Sequence, residues 1–308
     1  MAGVTAPNGV KGSRTGLLAL IPLLGLFWGL NWPVVRLCLR EIPPWTLRCW
    51  GMSLAALLLF GFVLARGGSL RVPRRHWWRL VVVGCLSITA YNVLSAFAQL
   101  TASTTRSAVL SYTMPIWAVL FARIVLGEPL DARRMAGLGF GVAGLAALGL
   151  PLVQNGQLSW GLLYALMSGI VWAAGSTFLK RFPVDASPLV IAAWQLALGA
   201  LTTFPVMLLA ETVPDPRTFM ATTWIAFGLH VVLAQAVATT LWFTILSGLP
   251  SGIAAIGSLL VPGIGVLGAA VIIGEHPTPA DWIGLALIVA ASASVLVRFE
   301  PRWAAAAS

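Results

Sequence analysis

Apolar residues arrive in long blocks along this chain, separated by short polar interruptions. Windows near the ~20 residues that an α-helix needs to cross a hydrocarbon layer recur ten times. They cover 16–38, 44–65, 79–99, 106–126, 134–152, 159–180, 188–210, 222–246, 251–273 and 281–298. The interruptions hold turn formers or charges, such as Pro43-Pro44, Gly127-Glu128-Pro129, Gln154-Asn155-Gly156, Pro214-Asp215-Pro216 and Gly274-Glu275-His276-Pro277. None is long enough for a soluble domain. The first apolar run leads into Asn31-Trp32-Pro33 rather than a small-residue cleavage site, so it reads as a retained helix and not a signal peptide. The pattern predicts an all-α membrane protein of ten transmembrane helices behind a disordered polar tail, 1–15.

One stretch is written twice. Ala108, Ser111, Pro115, Gly127, Glu128 and Gly137 recur as Ala255, Ser258, Pro262, Gly274, Glu275 and Gly284, always 147 positions later (255−108, 262−115, 275−128). A period near half the chain is too long for a solenoid and marks a duplicated half, a common construction among secondary transporters. The halves are expected at 16–152 and 153–308. Five spans per half is an odd number, so the second copy runs upside down relative to the first. Two inverted-topology five-helix repeats are the expected architecture.

Composition agrees. Charged residues make up 9% of the chain and hydrophobic ones 59%, against roughly 25% and 45–50% in soluble domains. The net charge of +10 does not indicate nucleic acid, because the basic residues are scattered among apolar runs rather than clustered. Of the 19 Lys and Arg, five (Arg36, Arg40, Arg48, Arg106 and Arg217) fall on one side of the predicted bilayer. The other 14 share the side of both termini, which the positive-inside bias makes the cytoplasm. Cys38, Cys49 and Cys85 lack metal-ligand spacing and read as small buried hydrophobes; a Cys38–Cys49 pairing stays open.

These features resemble the EamA domain of the drug/metabolite transporter superfamily. The carriers of the resemblance are the proline within a helix, the apolar run into Gly-Glu, the glycine-rich helix that follows, and Trp28-Gly29-Leu30-Asn31-Trp32, similar to the Trp-Gly-x-Asn opening of such domains. Trp172-Ala173-Ala174-Gly175-Ser176 stands in the corresponding place of the second half, 144 positions on (172−28). The resemblance covers roughly 16–298 and implies a carrier exporting small metabolites, amino-acid-like or drug-like. It implies a partner in the lipid bilayer, a location in the cell (inner) membrane, and no cofactor or metal. A monomer or homodimer is expected. The copies differ at Asn31 against Gly175 and Arg48 against Gln195, so a site built from them is asymmetric.

Candidate site residues follow from cost. A proline inside a helix frees the carbonyl four residues earlier, that of Ser111 for Pro115 and of Ser258 for Pro262, and serine can help satisfy such groups. Irregular backbone at membrane depth belongs beside protein or a water-filled cavity, so both helices are expected to bend at these prolines and line the transport path. Trp28, Trp172 and Trp242, with Tyr91 and Tyr112, offer an aromatic pocket. Trp45, Trp77, Trp78, Trp160, Trp224, Trp282 and Trp303 lie near helix ends, as an interfacial belt does. Polar residues within spans are expensive and face the interior: Asn31, Asn92, Ser95, Gln99, Ser176, Gln195, His230, Gln235 and Thr239. His230 is a candidate proton relay. Arg48 reads either as an interfacial arginine reaching water or as a group attracting a carboxylate.

Absences matter too. Every Asp and Glu falls in a loop or at a helix edge, whereas a pump for lipophilic cations wants a buried carboxylate. Neutral or zwitterionic cargo is expected, with multidrug-type efflux as the alternative. A membrane enzyme is disfavoured because His76, His230 and His276 do not cluster with carboxylates. A non-transporting scaffold is disfavoured because no soluble domain is present. Two GxGxxG strings, Gly139-Gly141-Gly144 and Gly263-Gly265-Gly268, follow no strand and open no dinucleotide site; close helix packing explains them.

Overall fold

The computed structural model describes residues 14–248 and 251–296, and every regular element among them is helical. In order these are α1 (Arg14–Cys38), α2 (Pro44–Ala65), α3 (Trp77–Val83), α4 (Tyr91–Thr101), α5 (Thr104–Ser111), α6 (Met114–Leu126) and α7 (Ala132–Gln154). Then come α8 (Trp160–Arg181), α9 (Pro188–Ala210), α10 (Ala221–Leu229), α11 (Thr239–Gly248), α12 (Ser251–Ile273) and α13 (Pro279–Leu296). A π-helical segment, Gly84–Ala90, joins α3 to α4, and another, His230–Ala238, joins α10 to α11. Among the described residues eight helices are long and apolar enough to cross a membrane; Leu260–Ile273 and Pro279–Ser294 are shorter apolar stretches. Leu209, Val271 and Ile124 are 88%, 84% and 78% exposed. Apolar side chains so bare belong against lipid rather than water.

The halves interleave. α1 packs on α12 and on α10 with its π-helical segment, α2 on α9, α7 on α13, and α8 on α4, α5 and α6. Each principal contact therefore joins one half to the other. Without a hydrophobic drive between helices in lipid, small residues let backbones approach. Gly284 shows the principle: an added Cβ would lie within 2.9 Å of three carbons of Leu148. Gly141 meets Ile116 in the same way, and Gly144 lies against Leu287 and Ile288. Gly139 and Gly263 have nothing within 4 Å, so close packing accounts for only part of the two glycine strings. Cys38, Cys49 and Cys85 are unpaired.

The repeated Gly-Glu has a backbone reason. Gly127 and Gly274 both take φ +70°, the left-handed conformation that ends a helix without a Cβ penalty. The next amide reaches back identically in both copies: Glu128 N donates to Ala122 O and Glu275 N to Ala269 O, each at 3.2 Å. The repeated prolines, by contrast, behave differently. The span over 106–126, expected to bend at Pro115, breaks just before it at Tyr112-Thr113, and Pro115 sits in the first turn of α6, where its missing N–H costs little. α12 continues unbroken across Pro262.

The ends of the bundle are held by carboxylates acting across the fold. Glu275 accepts from the backbone N–H of Thr104 (2.7 Å) and Thr105 (2.9 Å), at the start of α5. Glu211 accepts from Trp45 N (2.9 Å), Thr46 N (2.8 Å) and the Thr46 hydroxyl (2.9 Å), at the start of α2. Glu41 accepts from Met220 N at 3.1 Å, and Arg106 pairs with Asp281 at 2.9 Å. Glu275, Glu211 and Glu41 thus meet amides at the positive pole of a helix. Glu128 does something else: it binds Lys180 at 2.5 Å and Arg134 at 2.6 Å. The Lys180 hydrogen bond, with Arg134 adding to it, holds the Glu128 carboxyl below its ordinary range.

Candidate functional site

A cavity of about 460 Å³ lies where the halves meet. Its wall takes Trp28, Asn31, Trp32 and Val35 from α1, Arg48 from α2, and Trp172, Ser176, Leu179 and Lys180 from α8. Tyr91, Asn92, Ser95 and Gln99 come from α4, Gln195 from α9, and Thr239 and Trp242 from α11, with Tyr112 and Met114 at the α5–α6 break. The two π-helical segments supply Ser87, Ile88, Ala234 and Gln235.

These positions are paired by the duplication. Arg48 and Gln195, Ser87 and Ala234, Ile88 and Gln235, Asn92 and Thr239, and Ser95 and Trp242 are each 147 positions apart (195−48, 235−88, 242−95). Trp28 and Trp172, Trp32 and Ser176, and Val35 and Leu179 are 144 apart. The wall thus repeats in position and not in chemistry. The π-helical segments stand at matching points as well, and such turns leave carbonyls that other groups must satisfy. Asn92 Nδ2 donates to Ile88 O at 2.9 Å in the first, and Trp28 Nε1 to Ala234 O at 3.3 Å in the second.

Four aromatic rings form one connected face. Trp28 meets Trp172 edge-on with centroids 6.1 Å apart and Trp242 at 5.7 Å; Tyr91 meets Trp172 at 4.8 Å. Of the other tryptophans inside the helices, Trp32 lines the wall, whereas Trp50, Trp117 and Trp194 pack elsewhere: against Phe227, on the Thr113 hydroxyl at 3.1 Å, and on Leu70 O at 2.9 Å.

The opposite chemistry is a polar network around Arg48, which is 2% exposed. The expectation of an interfacial arginine reaching water is therefore wrong. One terminal guanidinium nitrogen lies 3.3 Å from His230 Nε2, and the other donates to the Ser95 hydroxyl at 3.2 Å. Arginine has no acceptor, so His230 Nε2 must accept, and its Nδ1–H donates to Asn31 Oδ1 at 2.7 Å. His230 is thereby a neutral imidazole with a fixed tautomer, wholly buried behind the wall. Gln235 Nε2 donates to Asn92 Oδ1 at 3.0 Å, and Ser95 donates to Asn92 O at 2.9 Å.

Ten of the twelve expected site residues gather at this cavity. Nine line it: Trp28, Asn31, Tyr91, Ser95, Tyr112, Trp172, Ser176, Gln195 and Trp242. His230 touches it through Arg48 and Asn31. Ser111 is off the wall; its hydroxyl bonds Ser168 Oγ at 2.7 Å and Ala165 O at 3.2 Å. A neighbouring helix thus claims the hydroxyl that was expected to serve its own helix. The side chain of Ser258 lies outside the described residues. Sequence reasoning left Ser87, Met114, Leu179 and Lys180 out. Ser87 and Leu179 carried no signal in the sequence, since their repeat partners Ala234 and Val35 were not candidates either.

A polytopic helical protein with an interior cavity shared by two duplicated halves has the build of a small-molecule membrane transporter. The EamA-like transporter family matches residues 15–150 and 159–297. The chain belongs to that family. It is 25% identical over 283 residues to the uncharacterized inner membrane transporter YedA of Escherichia coli K12, covering 88% of this chain and 89% of that one. It is 22% identical over 239 residues to the uncharacterized transporter YoaV of Bacillus subtilis, covering 77% and 82%. A probable amino-acid metabolite efflux pump of Escherichia coli K12 is 24% identical over 291 residues, covering 90% and 92%. A solved crystal structure at 24% identity superposes with a TM-score of 0.64 over 90% of this chain and 96% of that one, a likeness of fold.

Proposed function

We propose that this protein is a carrier of the cell (inner) membrane that exports a small organic metabolite by alternating access. In this reading ten helices form two inverted halves, 16–152 and 153–308, with both termini in the cytoplasm, and the cavity is the cargo site. The observation that carries it is the pairing of the cavity wall across the duplication. A site at the interface of two related halves is open to either face in turn when one half rocks against the other. The amino-acid efflux named for one relative supports a small polar metabolite, and the aromatic face supports an apolar body on it.

The ends of the bundle support the same mechanism. Glu275 clamps the start of α5, whereas its repeat partner Glu128 holds Lys180 and Arg134. Among the described residues the two copies of one motif hold different partners, which fits a carrier whose two ends close in turn. Multidrug-type efflux is the second reading. The aromatic face favours it, but buried Arg48 repels the lipophilic cations that such pumps often carry.

Reconstitution tests the proposal. Purified protein in proteoliposomes should carry at least one member of a broad metabolite panel down its gradient, with saturation and with counterflow on preloading. Folded protein that moves no member of the panel overturns it.

A further inference from the structure

We propose that the cavity recognises its cargo through a carboxylate, with Arg48 as the receptor. This rests on the carrier reading above and names the chemistry of the same site.

Arginine stays protonated in proteins, so Arg48 places a fixed positive charge inside the bundle. It has no acidic partner, and no Asp or Glu lines the cavity among the described residues. Glu211, at the end of α9, reaches the start of α2 one turn before Arg48, but both of its oxygens are taken by Trp45 and Thr46. The guanidinium's contacts, the neutral His230 ring and the Ser95 hydroxyl, bring no compensating charge. Its Nε is buried and makes no hydrogen bond within the protein. An unpaired buried charge is among the costliest arrangements a fold can hold. A carboxylate arriving on the guanidinium fork removes that cost with charge-assisted, directional bonds.

A second donor points the same way. Gln195 occupies the position 147 residues after Arg48, is 2% exposed, lines the same cavity, and leaves its Nε2 without a partner. The two equivalent positions of the duplication therefore present buried N–H donors that the protein itself does not satisfy. The Trp28–Trp172–Trp242 face then accepts the apolar body of the cargo.

A carboxylate of this kind belongs to two kinds of molecule, a plain organic acid or a zwitterionic amino acid. Gln99 Oε1, a buried acceptor without a partner on the same wall, and the aromatic faces are what an ammonium group would use. A plain acid leaves them idle.

The test compares matched sets on the wild-type protein by calorimetric binding and proteoliposome counterflow. Each set holds an acid, its primary amide, its amine and its amino acid on one body. 3-Phenylpropionate, 3-phenylpropionamide, 3-phenylpropylamine and phenylalanine form the first set, with indolyl and branched aliphatic bodies beside it. The carboxylate members should bind about tenfold to a hundredfold tighter than the amides, the range of charge-assisted hydrogen bonds, and the amines should not bind. Phenylalanine above 3-phenylpropionate assigns the zwitterion; the reverse order assigns the plain acid. Both orders support a carboxylate receptor. Amides bound or carried as well as acids overturn it and leave the carrier reading standing. No binding or flux for any compound of these sets overturns the carboxylate receptor, whereas the carrier reading falls only if the broad metabolite panel fails as well. Arg48→Gln should abolish the acid preference, and Ser95→Ala, which keeps the charge, should weaken acids a few-fold and leave amides unchanged. Arg48→Gln that folds and still prefers acids also overturns it.

Discussion

Glu275→Gln isolates the clamp at the start of α5. Glu275 serves Thr104 N and Thr105 N, while the Ser103 hydroxyl serves Arg106 N at 3.2 Å. Three of the four amides left unpaired at a helix N-terminus thus have side-chain acceptors, and two of them depend on Glu275. The glutamine keeps one oxygen acceptor, replaces the other with donors that face an N–H, and removes the negative charge from the positive pole of the helix. Losing a cap costs about 1 kcal/mol and losing the charge up to about another 1 kcal/mol. About 2 kcal/mol taken from only the state in which the clamp is closed shifts a two-state balance about 30-fold. The assay places Gln99→Cys, at the clamp end of the cavity, in a background without Cys38, Cys49 and Cys85. Labelling by a membrane-impermeant thiol reagent from the Glu275 face of proteoliposomes should rise by that order in Glu275→Gln. Unchanged labelling, or an equal rise in Glu128→Gln, refutes the reasoning, because Glu128 touches no helix start among the described residues.

Other expectations concern stability. Gly284→Ala should cost about 1–3 kcal/mol by overpacking against Leu148, read as a lower melting temperature in detergent, while Gly139→Ala, with open space around it, should be neutral or mildly stabilising. Because the folded-state pKa of Glu128 is lowered by Lys180 and Arg134, its contribution is complete above the ordinary carboxylate range and is lost as pH falls through the lowered value. The melting gap between wild type and Glu128→Gln should therefore be constant near pH 7 and close below about pH 4. Ser111→Ala and Ser168→Ala should each destabilise by about 1 kcal/mol and be non-additive when combined, with cargo selectivity unchanged; altered selectivity would place Ser111 in the site after all.

Much of the candidate site was legible because polar and aromatic residues inside an apolar span are costly enough to stand out. Asn31, Tyr91, Ser95, Gln195 and the tryptophan pair Trp28–Trp172 were found on that ground, and the wall holds them all. Arg48 was visible but ambiguous: near the start of a span, an arginine that snorkels and one that is buried look alike until the neighbouring helices are in place. Ser87 gave no signal at all, since a lone serine in a helix is cheap.

By itself the chain determined the membrane class, the duplication with its 147-residue offset, and the Gly-Glu helix stops. Those depend on residue type and spacing along one strand of sequence, through hydropathy and backbone sterics. Only the tertiary structure decided what each copy does with its motif. Pro115 opens a new helix while Pro262 rides inside one; Glu275 clamps a helix start while Glu128 holds two cations; Ser111 turns to Ser168 rather than to its own backbone. Each outcome depends on which foreign group lies within three ångströms, and that is set by helix packing between the halves. The same packing brings a charge without a carboxylate, Arg48, to the wall of a cavity that neither half builds alone.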